Sequence, residues 1–367
     1  MSLSVGIVGL PNVGKSTLFN ALSEKQQAEA ANYAFCTIDP NHGVVPVPDP
    51  RFDALVKLYE PDSVVPATVD FVDIAGLVRG ASKGEGRGNA FLSNVRDCDA
   101  IAHVVRCFED DNVVHVDGKV DPAADIETIH TELILKDLES VQKRADRARR
   151  AAKGGDPLEK AALALCERLE QALDAGKRAA LVECEDESEE LVMRDLALIT
   201  RKPMFYVANV REDQLTGEGD GLLAKVRGLA DAEGAPVCVI CASIEAEIMG
   251  LPLEDRAEFL ESVGLTEPSL NEVIRTGYRM LDLITFFTAG KKEVRAWTIG
   301  DGTKAPGAAG KIHTDFERGF IKAEVIRWED LIELGSESAC KSAGKLGTEG
   351  KEYVVKDGDV IHFRFNV

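Results

Sequence analysis

The stretch GLPNVGKST, residues 9–17, holds the residues of this chain best placed to do chemistry. It fits G-x-x-x-x-G-K-[ST], in which backbone N–H groups surround phosphates, a lysine reaches the β and γ oxygens and a hydroxyl holds Mg²⁺. Lys15 and Ser16 take the last two roles. The spacing predicts a triphosphate site in this loop.

Two elements must position this loop, a strand before it and a helix after it. The apolar run 3–8 predicts the strand, and the spacing of Leu18, Phe19 and Leu22 predicts the helix. The N-terminus of such a helix carries about half a positive charge of dipole, so it faces the phosphates. A glycine-rich turn without a ligand is the alternative, and this context disfavours it.

Asp73 and Gly76 follow a second apolar run, residues 68–74, with D-x-x-G spacing. An aspartate there meets Mg²⁺, usually through water, and the glycine N–H can meet the γ-phosphate. The next residue, Leu77, stands where many GTPases place a glutamine that orients the attacking water. A hydrophobic side chain cannot do this, so we expect slow intrinsic hydrolysis or another group in that role.

The candidate for completing the Mg²⁺ shell in a switch loop is Thr37, the one threonine between Leu18 and Ala67. If the chain is not a switch protein, Thr37 is an ordinary loop residue. The predicted metal ligands are Ser16, Thr37 and Asp73.

Two features bear on the missing water-positioning group. His115 follows the apolar run 100–106 and is a candidate, although a lone histidine near a strand is more often structural. Asn12 stands where a phosphate-loop asparagine can help to bind K⁺, whose charge takes the place of an arginine finger. Lys15, Asp73, Gly76 and His115 are therefore the candidate catalytic residues.

The base-recognition segment departs from the GTPase pattern N-K-x-D. After the strand-like residues 204–208 the chain reads Asn209, Val210, Arg211, Glu212. The extra methylene of Glu212 moves its carboxylate by about one bond length, which spoils a bidentate pair with guanine. Asn209 can still pair with an adenine edge, and Ser243 lies in the base-side loop after the next strand.

Composition excludes several classes of protein. The chain has 367 residues and a formal net charge of −20, which opposes attraction of the whole molecule to nucleic acid but not a local basic face. No signal peptide or apolar run long enough for a membrane helix is present, so we expect a cytoplasmic protein. The spacing of Cys238 and Cys241 is C-x-x-C, but their apolar surroundings indicate core packing rather than metal or redox work.

Residues 126–200 are helical in pattern, with two leucine-rich stripes divided by a turn at residues 154–157. This predicts an antiparallel helical hairpin inserted into the nucleotide domain. Basic side chains cluster near its tip, and solvated helix charge and an RNA-phosphate-binding surface are equally good interpretations. They are Lys143, Arg144, Arg147, Arg149, Arg150 and Lys153.

Residues 281–367 change character again, to short β-rich runs around one helix-like piece. They carry 13 Lys and Arg against 14 Asp and Glu, so this part is nearly neutral while the rest of the chain holds the acidity. The pattern suits a small β-grasp module, and without a catalytic constellation it indicates a binding module.

Five segments together resemble the YchF / Obg-like ATPase family. They are GLPNVGKST, NYAFCTIDPN, DIAGLVRGASKGEGRGN, NVRE in place of N-K-x-D, and AGKIHTDFERGFIKAEVI. The resemblance implies an α/β P-loop G domain with a mainly parallel sheet, an inserted helical coiled coil and a C-terminal ubiquitin-like TGS domain. It also implies a preference for ATP over GTP, association with the ribosome, and a base site near Asn209, Val210 and Glu212. By the same resemblance, the nucleotide contacts are Asn12, Val13, Gly14, Lys15, Ser16 and Thr17. Ala34 and Arg211 depart from the usual residues of the family.

These expectations define a specific hypothesis. The G domain covers residues 1–125 and 201–280, the hairpin 126–200 and the TGS domain 281–367. The protein is expected to be a slow, Mg²⁺-dependent and K⁺-sensitive ATPase, a monomer without membrane contact. It is also expected to bind the ribosome, and to contact rRNA or tRNA through the hairpin and the TGS domain. A GTPase of the Obg type, or a nucleotide-gated ribosome- or RNA-binding adaptor with little turnover, are the alternatives.

Overall fold

The computed structural model describes residues 3–30, 41–74, 87–116, 118–154, 156–215 and 221–366, without the side chains of 26–30 and 87–91. The chain divides into two compact units. The first contains the N-terminal residues to Leu22 and Phe71–Val273, and the second contains Val44–Asp70 and Ile274–Val367.

The strands of the described residues form two six-stranded sheets. The first has the order β2-β4-β1-β5-β6-β7 and the second β11-β10-β12-β8-β9-β3. Their bounds are β1 Ser4–Val8, β2 His42–Pro46, β3 Ser63–Val65, β4 Thr68–Asp73, β5 Ala100–Arg106, β6 Met204–Asn209, β7 Val237–Ile240, β8 Leu283–Ala289, β9 Glu293–Gly300, β10 Phe320–Arg327, β11 Gly347–Glu349 and β12 Asp359–Phe365.

Helices connect these strands. Their bounds are α1 Lys15–Ala30, α2 Pro50–Tyr59, α3 Arg87–Asp97, α4 Pro122–Ala151, α5 Pro157–Asp174, α6 Glu187–Leu196, α7 Gly221–Glu233, α8 Ala242–Gly250, α9 Leu253–Ser262, α10 Leu270–Met280, α11 Ala305–Ile312, α12 Thr314–Arg318, α13 Trp328–Leu334 and α14 Glu337–Ser342. None of the helices in the described part of the chain is long and apolar enough to cross a bilayer.

Parallel pairing in the first sheet decides where the functional loops meet. Val8 of β1 is in register with His103 of β5, and Arg106 of β5 with Asn209 of β6. β1, β5 and β6 are buried along their whole length, as expected for the centre of a sheet covered on both faces. Because the carboxyl ends of parallel strands share one edge, the loops after β1, β5 and β6 emerge together.

The crossover between β5 and β6 carries the predicted helical hairpin. α4 and α5 pack along a shared apolar core, and α4 ends in a 3-10 turn at residues 152–154 shortly before α5 begins. Each helix begins with proline at its first position, which tolerates the missing N–H. The side chain of Asp156 caps α5 by accepting from the N–H of Leu158 at 3.0 Å. The hairpin prediction is therefore confirmed.

A buried carboxylate fixes the end of this insertion to its beginning. Asp137 of α4 is fully buried and accepts hydrogen bonds from the N–H of Ile199 at 2.8 Å and of Thr200 at 2.7 Å. It also accepts from the Thr200 hydroxyl at 2.7 Å, and that oxygen accepts from the N–H of Ala179 at 3.0 Å. Burial raises the pKa of Asp137, and these hydrogen bonds oppose the increase.

The second sheet has the β-grasp order, with β12 parallel to β8 and antiparallel to β10. The core of this unit packs under α11 and includes Phe286, Val325 and Phe363. The single helix-like piece expected here is instead four short helices, α11 to α14.

α2 and β3, which lie within the segment Val44–Asp70, group with this C-terminal unit, although the sequence assigned them to the nucleotide-binding domain. β2 and β4, at the two ends of that segment, pair in the first sheet. β3 adds to the second sheet in parallel with β9. On α2, the Phe52 ring stacks on Phe287 at 6.2 Å, and Arg51 pairs with Asp357 at 2.6 Å. A β-strand and a helix distant in sequence thus complete the C-terminal module.

We expect Asp137→Ala to lower the free energy of unfolding by about 3 kcal/mol, because three buried donors lose their acceptor. Urea unfolding followed by circular dichroism measures this. Asp146→Ala is the matched control on the same helix, since Asp146 is exposed and its pair with Arg149 is worth at most about 1 kcal/mol. Equal unfolding midpoints for the two variants would contradict the anchoring role of Asp137.

Candidate nucleotide-binding site

The phosphate loop lies between β1 and α1, as predicted, and its backbone needs unusual torsion angles. Asn12 has φ of 62° and Gly14 has φ of 101°, values that favour asparagine and glycine respectively. A Cβ at Gly14 would lie 2.3 Å from Nδ2 of Asn209. The second glycine of the motif is therefore required by both backbone conformation and space.

Lys15 is held inside this loop. Its side chain is 7% exposed, and Nζ donates a hydrogen bond to the carbonyl of Leu10 at 2.6 Å. Burial lowers the pKa of Lys15 to about 8, and the nearby carboxylate of Asp73 opposes the decrease. Burial also raises the pKa of Asp73, an effect that Lys15 opposes. The two groups are thus electrostatically coupled at one end of the sheet.

The predicted magnesium ligands are only partly described. Ser16 and Thr17 are exposed in the first turn of α1, and Asp73 is half-buried at the end of β4. A hydroxyl and a carboxylate are the hard oxygen donors that Mg²⁺ prefers, so Ser16 and Asp73 fit that ion. Thr37, Gly76 and Leu77 lie outside the described residues.

Asn209 connects three parts of the site through one amide. Its side chain is buried, with Nδ2 donating to the carbonyl of Val13 at 2.9 Å and Oδ1 accepting from the N–H of Ala242 at 3.0 Å. Bidentate pairing with an adenine edge needs an acceptor and a donor together. Each of the two amide atoms already has one protein partner, so Asn209 connects the phosphate loop to the start of α8, and its contact with a base stays a prediction.

The other predicted base contacts differ in exposure. Val210 is buried beneath the segment, whereas Glu212 is exposed at the start of a 3-10 turn, residues 212–214. Ser243 is exposed in the first turn of α8, with its Oγ 3.1 Å from Sγ of Cys241. Arg211, the departure from the family pattern, is paired with Asp213 at 3.1 Å.

His115 belongs to the segment that follows β5, and its ring contacts a carboxylate of α4. Nε2 is 3.0 Å from Oδ2 of Asp125 on α4, and both side chains are buried. The carbonyl of the preceding residue, Val114, accepts a hydrogen bond from Nδ2 of Asn12 at 3.1 Å. The backbone of this segment thus touches the loop, and the imidazole is paired with a carboxylate, while the catalytic role of His115 stays a prediction.

Two residues of this region were not singled out from the sequence. Asp125 holds the His115 ring, and Arg106, at the end of β5, is 1% exposed. A charged residue closing an otherwise apolar run was a signal for Arg106, but a buried partner for a lone histidine gives no sequence signal.

A parallel sheet, a lysine-bearing glycine loop between its first strand and first helix, and an aspartate on the adjacent strand define a class. The first unit is a P-loop nucleotide-binding domain of the G-domain type. A family model described as 50S ribosome-binding GTPase matches residues 4–143. The model of the YchF-GTPase C-terminal domain, described as a protein of unknown function, matches residues 283–366.

Relatives match over the full length of the chain. It is 56% identical to the ribosome-binding ATPase YchF of Haemophilus ducreyi and 54% to that of Bacillus subtilis, covering 100% of each protein. It is 47% identical to Obg-like ATPase 1 of Gallus gallus, covering 93% of that protein. The structure of the Schizosaccharomyces pombe YchF GTPase matches with a TM-score of 0.88 at 40% identity, covering 99% of this chain and 98% of that one. The chain therefore belongs to the YchF family.

Nucleotide affinity should depend on the charge of Lys15. In the protein without nucleotide, the pKa of Lys15 is about 8, so the ammonium group loses a proton as the pH rises through 8. Bound phosphates restore the proton, so between pH 7 and 9 we expect ADP affinity to fall about tenfold. Proton uptake on binding should rise from about one tenth of a proton at pH 7 to almost one proton at pH 9.

Calorimetric titration with ADP, in buffers of different ionisation enthalpy at pH 7, 8 and 9, measures that proton uptake. Lys15→Met removes the titrating group and serves as the control, because any residual binding should then take up no proton near pH 8. Constant proton uptake in the wild-type chain across this range would contradict the prediction.

Proposed function

We propose that this protein is an Mg²⁺-dependent ATPase that converts ATP to ADP and phosphate and prefers ATP to GTP. We further propose that it binds the ribosome as a translation-associated switch. The main support is the phosphate loop, in which the buried Lys15 interacts electrostatically with Asp73 at the end of β4, in a chain whose full-length relatives are named ribosome-binding ATPases.

In the proposed reaction, Lys15 and the loop amides offset the charge on the β and γ oxygens. Ser16, Asp73 and Thr37 would hold Mg²⁺, which supplies further neutralisation of phosphate charge when bound. The Gly76 amide would contact the γ-phosphate. The buried Asn209 amide holds the loop at Val13, so the cradle is pre-organised before nucleotide binds.

The preference for adenine rests on Val210 and Glu212. A GTPase would place a lysine and an aspartate at these positions, whereas here the first side chain is buried and apolar and the second is one methylene longer. A misplaced carboxylate leaves guanine donors without a partner, which penalises guanine binding. This penalty supports a relaxed or reversed purine choice.

Slow intrinsic turnover and stimulation by K⁺ follow from Leu77 and Asn12. Leu77 cannot orient water. Asn12 is exposed, and its Nδ2 is engaged with Val114 while Oδ1 has no protein partner among the described residues. An outward amide oxygen beside the phosphates is a suitable ligand for a monovalent cation, whose charge would assist the reaction.

The tip of the helical hairpin supports an RNA-contacting role in a narrower form than its composition suggests. Arg144 is largely buried and forms a bidentate pair with Glu159, and Lys143 pairs with Glu139. Both basic side chains therefore serve the hairpin itself. The exposed cations that remain for phosphate contacts include Arg147, Arg150 and Lys153.

A GTPase of the Obg type remains the second candidate. The family model that matches residues 4–143 describes a GTPase, and the Schizosaccharomyces pombe relative of known structure is also called a GTPase. Competition of ATP and GTP for a fluorescent nucleotide analogue separates the two candidates. A guanine preference above about tenfold, or 1.4 kcal/mol, would exclude the ATPase proposal.

The decisive experiment measures hydrolysis of ATP and GTP in K⁺ and in Na⁺, with and without ribosomes. We expect ATP to be hydrolysed faster than GTP, and the rate to be higher in K⁺ than in Na⁺ and higher with ribosomes than without them. K⁺ and the ribosome would each supply part of the missing transition-state stabilisation. Lys15→Ala is the control for contaminating activity. Turnover insensitive to both the cation and the ribosome would contradict the proposed switch, and ribosome binding without any turnover would favour an adaptor.

Charge reversal tests the hairpin tip. Arg147→Glu combined with Arg150→Glu should weaken ribosome co-sedimentation by about tenfold or more at low salt, because two phosphate contacts would be lost. Arg194→Glu is the matched control on α6, where the side chain is exposed and paired only with Glu190 within the described insertion. If ribosome co-sedimentation weakened equally in the double variant and in Arg194→Glu, a specific contact at the hairpin tip would be contradicted.

A further inference from the structure

Arg106 is a buried cation to which the proposed reaction assigns no task. It is the last residue of β5, is 1% exposed, and forms no ion pair with a carboxylate among the described residues. Burying a guanidinium costs several kcal/mol unless its donors are satisfied. The groups that satisfy it therefore identify what this side chain holds in place.

Its donors go to the segment that leaves β5. Nε donates to the carbonyl of Phe108 at 3.0 Å, Nη1 to that of Val113 at 2.9 Å and Nη2 to that of Asp110 at 3.2 Å. The guanidinium carbon also lies 4.7 Å from the centre of the Phe108 ring. A planar fork with five donors is suited to fixing several carbonyls at once, so residues 108–113 are wrapped around one side chain.

The segment is also fixed beyond the guanidinium. The N–H of Cys107 donates to the carbonyl of Asn209 at 2.8 Å, which secures its start beside the base-recognition strand. At its far end, the Val114 carbonyl receives the hydrogen bond from Asn12, and His115 is held by Asp125. The segment therefore connects the end of β6 with the phosphate loop. Between these two contacts, three of its carbonyls accept hydrogen bonds from the Arg106 guanidinium.

We propose that Arg106 is a positioning residue for hydrolysis, which fixes residues 107–116 so that Val114 and His115 stay beside the phosphate loop. This inference rests on the proposed ATPase function. Arg106 would act through Asn12, whose left-handed backbone and exposed amide oxygen are set by the Val114 contact. No step of the reaction involves the guanidinium itself.

Two contacts that hold the nucleotide cradle do not involve Arg106. Lys15 is held by Leu10, and the loop is held by Asn209, in both cases without Arg106. Loss of Arg106 should therefore affect kcat more than nucleotide affinity. A purely structural role predicts a different result, in which stability and affinity fall together and activity follows them.

The test uses Arg106→Gln and Arg106→Lys in the full chain, with ATP turnover, ADP affinity and thermal unfolding measured for each. We expect kcat to fall tenfold or more in Arg106→Gln while ADP affinity stays within twofold. Arg106→Lys keeps the charge and part of the hydrogen bonding, so its kcat should lie between those of Arg106→Gln and wild type. If the glutamine variant fails to fold, the lysine variant is compared with wild type instead. Amide exchange at Val113 and Gly118 should become faster in both.

Lys202→Met is the matched control. Lys202 also donates to backbone carbonyls, those of Arg96 and Cys98, but at the opposite end of β5. We expect it to lower the melting temperature and leave kcat unchanged. The proposal is overturned if both Arg106 variants keep kcat within twofold of wild type, or if kcat falls as much in Lys202→Met as in Arg106→Gln. Wild-type protein without ATP turnover would instead refute the proposed function.

Discussion

One buried amide holds the nucleotide site together. The Asn209 side chain joins the phosphate loop at Val13 to the start of α8 at Ala242, across 196 residues on one side and 33 on the other. Because it has a donor and an acceptor at a fixed distance, it fixes both partners together. Gly14 must be glycine since this amide occupies the space where a side chain would lie. The cradle around Lys15 is thus an outcome of packing among three loops.

The same physical rule governs two other polar groups buried in the first unit. Asp137 is buried with three donors directed at it, and Arg106 with three carbonyls around it. Each group offsets its desolvation through a set of hydrogen bonds that fixes a loop or a helix end. Asp137 closes the helical insertion and Arg106 orders the segment beside the phosphates. The rigidity of the site therefore comes from satisfied polar groups as much as from the apolar core.

Several charged side chains have ion-pair partners that local sequence patterns do not predict. The ring of His115 is paired with Asp125, and Arg144 of the basic tip is paired with Glu159 on the facing helix. Glu189, within the acidic residues 183–190, is buried and accepts a hydrogen bond from Arg168 at 2.5 Å. In each case the partner lies 10 to 21 residues away, so the pairing depends on how helices and turns pack. Spacing along the chain predicts charge, while its neutralisation depends on packing.

The sequence by itself determined the fold class, the phosphate loop, the helical hairpin and the β-grasp module. Each of these depends on local spacing, on glycine or proline at fixed positions, or on periodic apolar residues. Only the tertiary structure decided that α2 and β3 join the C-terminal module, that Asn209 braces the loop, and that Arg106 holds residues 107–116. These outcomes depend on strand pairing and buried hydrogen bonds between distant residues, for which one sequence carries no local signal.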